Sequence, residues 1–416
     1  MKKVILIASL ISLNLVFSQE SKRVLFIGNS YTGVNNLPQL TKDLSLSAGD
    51  TLIIDSQTPG GQTFQGHFGD ATVNSKIAQG NWDFVVLQEQ SQRPSFPDSQ
   101  VEVEVFPFAR KLDSLINLHN SCAETIFYMT WGRKNGDAGN CAFWPPVCSY
   151  SGMDSLLYLR YMQMAEDNQA IVSPVGKLWN YLRTNHPEIE LYSSDESHPS
   201  LAGSYAAACS FYTTIFRKNP NLITNDYGLS AIDAQNIRNA AKLIIFDSLM
   251  NWNVGKYDVL ANFTYTDLGN GQIQFTNTSE NSNTYMWYFG DETFTSDQNP
   301  THNFTTNQNY LVELIASDDC GNSDTFALQL NLATNDLIEN AENRIIFYPN
   351  PVKDFLICNQ KSNFPYTIYD INNKIILSSI LNVNSQIDLR NLSSGYYILQ
   401  ICDANFSNLY FPIIKE

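Results

Sequence analysis

Charge is what this chain has little of: charged residues make up 16% of its 416 positions, against roughly 25% in a typical soluble protein. Cations are the scarcer sign, 25 Lys and Arg against 41 Asp and Glu, which leaves a formal charge of −16. That balance argues against nucleic acid and anionic lipid as partners, because neither phosphate-rich surface would attract it. Long apolar runs are also lacking. The one that stands out, Val4 to Phe17, is about 14 residues long and too short to span a bilayer comfortably. No Cys-x-x-Cys and no Cys/His cluster occurs, so a structural zinc site is not expected. The Gly-x-Ser-x-Gly elbow of α/β-hydrolases is absent too.

What is present is apolar enough to fold, with 43% hydrophobic and 12% aromatic residues. The length calls for two to four domains. Lys2 and Lys3 precede the apolar run, and small Ser18 offers a cleavage point before Gln19, so residues 1–18 read as an export signal. No Cys follows the run for lipid attachment, and no later segment is apolar enough to cross a membrane. Seven cysteines in an exported chain leave one odd. Cys141 and Cys148 are spaced for a loop-closing disulfide, and Cys358 can pair with Cys402; Cys122, Cys209 and Cys320 have no obvious partners.

From Arg23 to about Trp252, short apolar runs alternate with helical spacing. Val24–Ile27, Thr51–Ser56, Phe84–Leu87 and Thr125–Thr130 read as buried parallel strands. Leu37–Ala48, Val103–Leu118, Ser200–Arg217 and Ser230–Trp252 read as helices. This alternation predicts a three-layer α/β domain over 22–255. Past Val254 the period changes to two: Tyr310, Val312, Leu314 and Ala316 share one face of a strand, as in a β-sandwich. A polar linker, 334–343, separates this module (258–333) from a second all-β module, 344–416.

Two segments carry chemistry. The first strand runs into Gly28-Asn29-Ser30-Tyr31-Thr32-Gly33, so Ser30 falls at the edge of a parallel sheet where α/β sites form. The turn's free N–H groups can hold an oxyanion. Alone, such a Ser more often merely caps a helix. Ser194-Asp195-Glu196-Ser197-His198 precedes the helix that starts near Ser200. A carboxylate three residues before an imidazole can fix its tautomer and leave the other nitrogen for a nucleophile. His67, His119 and His186 sit in a Gly-rich loop, at a helix end and in a polar turn, with no carboxylate at that spacing.

These two blocks, Gly28-Asn29-Ser30 and Asp195-x-x-His198-Pro199-Ser200, resemble the SGNH (GDSL-like) hydrolase superfamily over about residues 22–220. The resemblance implies a flavodoxin-like α/β fold, Ser30 as nucleophile, and Asp195 and His198 completing a triad that hydrolyses esters without metal or cofactor. It further implies an oxyanion hole built from the Ser30 N–H, the N–H of Gly61 (with Gly60 the alternative) and an Asn of a third block. Here that block reads Gln88-Glu89-Gln90-Ser91 and has no Asn. A Gln amide donates the same bond from a longer stem, so Gln88 or Gln90 is the expected substitute. Trp131, Arg133 and Trp144 lie in or beside an insertion at Lys134–Ser151; they suit a sugar or acyl pocket, or equally a packed loop.

Downstream, Trp287-Tyr288-Phe289-Gly290-Asp291 and Asn299-Pro300-Thr301-His302 resemble a PKD domain, an Ig-like sandwich in which His302 would be structural. Phe347-Tyr348-Pro349-Asn350-Pro351 and Ser394-Gly395-Tyr396-Tyr397 resemble the type IX secretion C-terminal sorting domain of Bacteroidota, again an all-β Ig-like module. The resemblance implies passage through the periplasm and outer membrane, with the type IX machinery as partner and surface attachment or release as the outcome. The substrate expected on this reading is an O-acylated small molecule or glycan. A surface adhesion protein with a degenerate hydrolase domain is the alternative.

Overall fold

A computed structural model describes residues 20–305, 308–332, 347–348, 352–358, 364–370, 374–381, 386–402 and 408–415. The expected export signal, the whole of the expected linker and the side chain of Cys402 lie outside them.

Five strands, β1 (Ser21–Ile27), β2 (Thr51–Gln57), β3 (Phe84–Leu87), β4 (Glu124–Tyr128) and β5 (Ile171–Ser173), form one sheet in the order β2-β1-β3-β4-β5. Every pairing is parallel. Val24–Ile27 and Phe84–Leu87 are buried throughout, which is why they read as unbroken apolar runs. β5 is only three residues long and its Ile-Val-Ser gives little signal in the sequence; the expectations above did not include it.

The helices are α1 (Ser30–Gly33), α2 (Leu37–Ser47), α3 (Phe64–Phe68), α4 (Ala71–Ile77), α5 (Asp98–Glu104), α6 (Phe106–His119), α7 (Tyr150–Asp167), α8 (Val175–Asn185), α9 (Leu201–Phe216) and α10 (Ala231–Ile244). Right-handed crossovers assign their layers. The β1-to-β2 step moves one way along the sheet and all later steps move the other way. α2 therefore lies on one face and α3–α7 on the opposite one. α9 packs against α2 and α10 against α9, completing the first layer, while α3, α4 and α5 pack on α6 in the second. The order reverses at β1, and ligands of such sheets bind beyond the carboxyl ends of the strands at that point. The expected helix at Ser230–Trp252 is α10 followed by a separate 3-10 segment, Phe246–Trp252.

The first sandwich belongs to the same compact unit as the α/β layers. It stacks β10-β7-β6 (Thr301–Asn303, Gln272–Asn277, Phe263–Gly269) on β12-β11-β8-β9 (Ser323–Asn331, Asn309–Ser317, Thr284–Tyr288, Phe294–Thr295). Tyr310, Val312, Leu314 and Ala316 all point into its core with Trp287 and Phe275. A disulfide joins Cys122, just ahead of β4, to Cys320 in the β11–β12 turn, with Cα atoms 5.4 Å apart; neither had an evident partner in the sequence. Cys141 and Cys148 are bonded as expected, and Cys209 is buried and free.

The second unit carries the last module. Its strands β13 to β19 (Phe347–Tyr348, Phe355–Cys358, Phe364–Asp370, Ile375–Leu381, Gln386–Asp388, Gly395–Cys402, Asn408–Lys415) form two antiparallel sheets, β13-β14-β17 and β16-β15-β18-β19. Their core holds Val352, Leu356, Ile368, Leu399, Ile401 and Ile413.

Candidate active site

Ser30 is placed by what surrounds Gly28. A side chain at Gly28 would come within 2.7 Å of Gln88 Oε1 and collide with Thr32 Oγ1, so only glycine lets the strand end turn here. Asn29 then caps α1: its Oδ1 accepts the Tyr31 N–H at 3.1 Å. An Asp would cap as well, but the Asn amide also donates, to the Gln62 carbonyl at 3.0 Å and the Glu89 carbonyl at 3.4 Å. The loops that follow β1, β2 and β3 are thereby tied together through one side chain, which gives the Asn at this position a physical reason. Ser30 is the first residue of α1, and its N–H, as for any first-turn donor, has no acceptor inside the helix.

His198 arrives on a loop closed at its base. The Ser193 N–H donates to the His198 carbonyl at 2.8 Å, and Tyr192 bridges Pro199. Asp195 folds over the loop, its Oδ1 accepting the N–H of Ser197 at 3.1 Å and of His198 at 2.9 Å. Its Oδ2 bonds His198 Nδ1, and His198 Nε2 lies 2.8 Å from Ser30 Oγ. The network assigns the proton to Nδ1 and leaves Nε2 to accept from the hydroxyl. Burial raises the Asp195 carboxyl, but the bonds from the His198 side chain and backbone and from the Ser197 N–H outweigh it and hold the group below its usual value. The three groups predicted from the sequence are thus in one hydrogen-bonded line, although Ser30 and His198 are 168 positions apart in the chain.

Behind that line stands a pile of rings. Trp131 stacks on Tyr31 (4.8 Å) and on Trp179 (3.7 Å), and Tyr192 meets Trp179 edge-on at 4.9 Å. Trp131 is fully buried, and its Nε1 donates to the Ser197 carbonyl at 3.1 Å. It was expected to line a substrate pocket; a ring with no exposed surface cannot, and it braces the His198 loop instead. The Tyr31 hydroxyl lies 2.6 Å from Ser197 Oγ on the same side. Sequence reasoning missed Tyr31, although its place directly after Ser30 was a signal.

The expected Gln donors are turned elsewhere. Gln88 is fully buried, and its Oε1 accepts the Asn29 N–H and Thr32 Oγ1–H, each at 2.9 Å. Its Nε2 bonds the Glu89 carbonyl, and with no exposed surface the side chain presents no donor to an oxyanion. Gln90 uses Oε1 to cap Gln92 and Arg93 N–H, and its Nε2 donates to Gln92 Oε1 at 3.1 Å. Gly61 is exposed with φ +68°, and a side chain there or at Gly60 would meet no atom within 4 Å, so this turn opens to solvent. Its carboxyl-side neighbour Gln62 is the one bonded by Asn29.

Arg133 lies at the rim, with Nη1 3.1 Å from Oδ1 of fully buried Asp137. Asp137 also accepts from Gln92 at 2.6 Å and Asn140 at 2.7 Å, which anchors the insertion. Trp144 is half-buried, its Nε1 donating to the Ser95 carbonyl at 2.9 Å, so it fastens the insertion to the domain. His67 is buried with Nε2 2.8 Å from the Gly28 carbonyl, His119 is exposed, and His186 does meet a carboxylate, Glu188, at 3.3 Å. His302 stacks on Phe289 at 4.0 Å and bonds Asp291 at 2.7 Å within the sandwich. Among the described residues no group of three or more His, Cys, Asp or Glu is placed to hold a metal ion, and no helix is long and apolar enough to cross a membrane.

Residues 263–330 match the family model of the PKD domain, and residues 346–415 that of the secretion system C-terminal sorting domain. No curated protein matches the chain. Among solved structures, a DUF4886 family protein from Bacteroides uniformis is 16% identical with a TM-score of 0.47, covering 55% of this chain and 95% of its own. A candidate SGNH hydrolase from Slackia heliotrinireducens is 26% identical with a TM-score of 0.40, covering 47% and 99%. The PKD1 domain of the Vibrio cholerae metalloprotease PrtV is 30% identical with a TM-score of 0.18, covering 18% and 99%. The sorting domain marks the chain for export by the type IX secretion machinery, to the cell surface or beyond it.

Proposed function

We propose that residues 22–255 form a serine hydrolase of the SGNH type that cleaves O-acyl esters, acetyl esters on carbohydrates among them, outside the cell. The line Ser30 Oγ, His198 Nε2, His198 Nδ1, Asp195 Oδ2 carries this reading. On it, His198 takes the Ser30 proton as the hydroxyl attacks the ester carbonyl, and Asp195 stabilises the imidazolium. The N–H groups of Ser30 and Gly61 receive the oxyanion. His198 returns the proton to the departing alcohol, and water repeats the sequence to release the acid. Arg133, beside the rim, is assigned to the leaving group.

A second reading, a display protein with an inactive domain, is favoured by the inward commitment of Gln88. Losing one oxyanion donor costs about 2.7–4 kcal/mol of transition-state stabilisation. Hydrolysis of p-nitrophenyl acetate by the wild type and by Ser30→Ala separates the two. The hydrolase reading expects turnover that disappears in Ser30→Ala; equal rates end it. Acetate release from acetylated xylan, pectin, sialic acids and peptidoglycan fragments then names the substrate.

A further inference from the structure

Glu89 follows β3 by two positions and is fully buried. Among the described residues no cation is hydrogen-bonded to it; Arg93, whose charge acts on it, gives its Nη1 to Glu104 at 3.0 Å. Instead Oε1 accepts the Gln90 N–H at 2.6 Å and Oε2 accepts the Phe64 N–H at 3.0 Å. Phe64 opens α3, directly after the Gly60–Thr63 turn. The carboxylate therefore bolts the loop after β3 to the loop that carries Gly61. On the other side of that loop, the Gln62 carbonyl receives the Asn29 amide, one residue before Ser30. Both fixings lie just on the carboxyl side of Gly61, at Gln62 and Phe64, and set the course of the turn that carries it.

A buried carboxylate without a bonded cation is costly, and a neutral tether would be cheaper. What the ionised group alone offers is two acceptor oxygens with no hydrogen, set against two N–H donors. We infer that Glu89 is a positioning residue of this hydrolase: its carboxylate holds the Gly61 N–H in register with the Ser30 N–H, and a proton on it loosens one of the two loops. This rests on the reading of Ser30 as nucleophile. When a proton from solvent binds either oxygen, that oxygen becomes a hydroxyl, a poorer acceptor for an N–H, and one of the two bonds is weakened.

Burial pushes the Glu89 carboxyl up to about 7, against the pull of the Gln90 and Phe64 N–H groups and of Arg93, with Glu104 adding to the rise. The charged or titratable groups around it are thus Arg93 on the 3-10 turn, Glu104 on α5 and Tyr161 on α7. The one such group in α3 is His67, turned to the Gly28 carbonyl.

The test is kcat and KM for p-nitrophenyl acetate across pH, in the full chain, for wild type, Ser30→Ala, Glu89→Gln and Glu89→Asp. Wild-type kcat/KM should fall with two ionisations on its acid limb, one of them from Glu89. Glu89→Gln should lose one of them and lower kcat about 10–100-fold with little change in KM, the effect of a small misplacement in the site. If Glu89→Gln does not fold, Glu89→Asp keeps the carboxylate on a shorter stem and should retain both ionisations at reduced kcat. Wild-type kcat in Glu89→Gln, or an acid limb that keeps both ionisations in it, overturns the proposal; so does a Glu89→Asp profile with a single ionisation. A rate that Ser30→Ala does not change sinks the hydrolase reading itself, and is recognised separately.

Discussion

Tyr31 and Trp131 lie face to face, ring planes within 5° and centroids 4.8 Å apart, so the residue after the proposed nucleophile and the support of the His198 loop are one stack. Trp131→Ala should destabilise the domain by about 3–5 kcal/mol, as removal of a large buried ring does. Tyr31→Phe keeps the stack and deletes the hydroxyl that bonds Ser197 and also faces Ser91. It should lower kcat/KM by roughly five-fold, the equivalent of about 1 kcal/mol for one hydrogen bond. Urea unfolding and ester kinetics on the pair check both, and a Tyr31→Phe enzyme weakened as much as Trp131→Ala would refute the division.

Asp195→Asn tests the carboxylate. Its hydrogen bonds hold the group ionised to lower pH than a free Asp, so the wild type keeps this charge across the neutral range. The amide should cut kcat by up to about 10,000-fold, less if solvent around this exposed residue substitutes for the lost charge. Stopped assays at pH 8 with p-nitrophenyl acetate measure it; a rate within two-fold of wild type would count against the triad, taking roughly two-fold as the reach of a neutral surface change.

Gln88 and Gln90 should behave oppositely to what the sequence suggested. Gln88→Leu leaves the Asn29 N–H and the Thr32 hydroxyl without their buried acceptor, a loss of about 1–3 kcal/mol for each group, visible as a lower denaturation midpoint. Gln90→Ala removes a turn cap and should change kcat far less than the about 100-fold that loss of an oxyanion donor imposes. A large kcat loss in Gln90→Ala would restore it to the oxyanion hole.

Glu124, at the start of β4, has its carboxyl pushed up to about 7 by burial, with Arg217 opposing and Asp258 adding to the shift. The folded form therefore holds its proton more tightly than the unfolded chain, whose ordinary value is 4.5. Stability from this group is complete below 4.5 and is lost as pH rises from there through about 7. Glu124→Gln should flatten the dependence of Tm on pH across that window in part; Glu89, Asp113 and Asp154, shifted in the same direction, contribute to what remains.

The parallel sheet was legible because strands buried on both faces are spelled as unbroken apolar runs, as in Val24–Ile27 and Phe84–Leu87. The pairing of Ser30 with Asp195-x-x-His198 was legible because three residues on one turn suffice to describe a carboxylate on an imidazole. β5 escaped because three residues carry no period. Trp131 and the two Gln residues escaped because residue type tells which bonds a side chain can make, while the direction it points is decided by packing: Gln88 turns inward to answer Asn29 and Thr32, and Trp131 is enclosed by Tyr31 and Trp179. The Cys122–Cys320 link joins positions 198 apart, a pairing no local spacing announces.

That link has a mechanical meaning. Cys122 stands just before β4, at the amino end of the strands, whereas the loops bearing Ser30 and Gly61 leave from the carboxyl ends. A pull exerted on the sandwich thus enters the α/β layers at the opposite pole, through a covalent bond and into the best-buried strands. Drag on the sandwich would be borne there, while the end of the sheet that carries Ser30 stays unloaded.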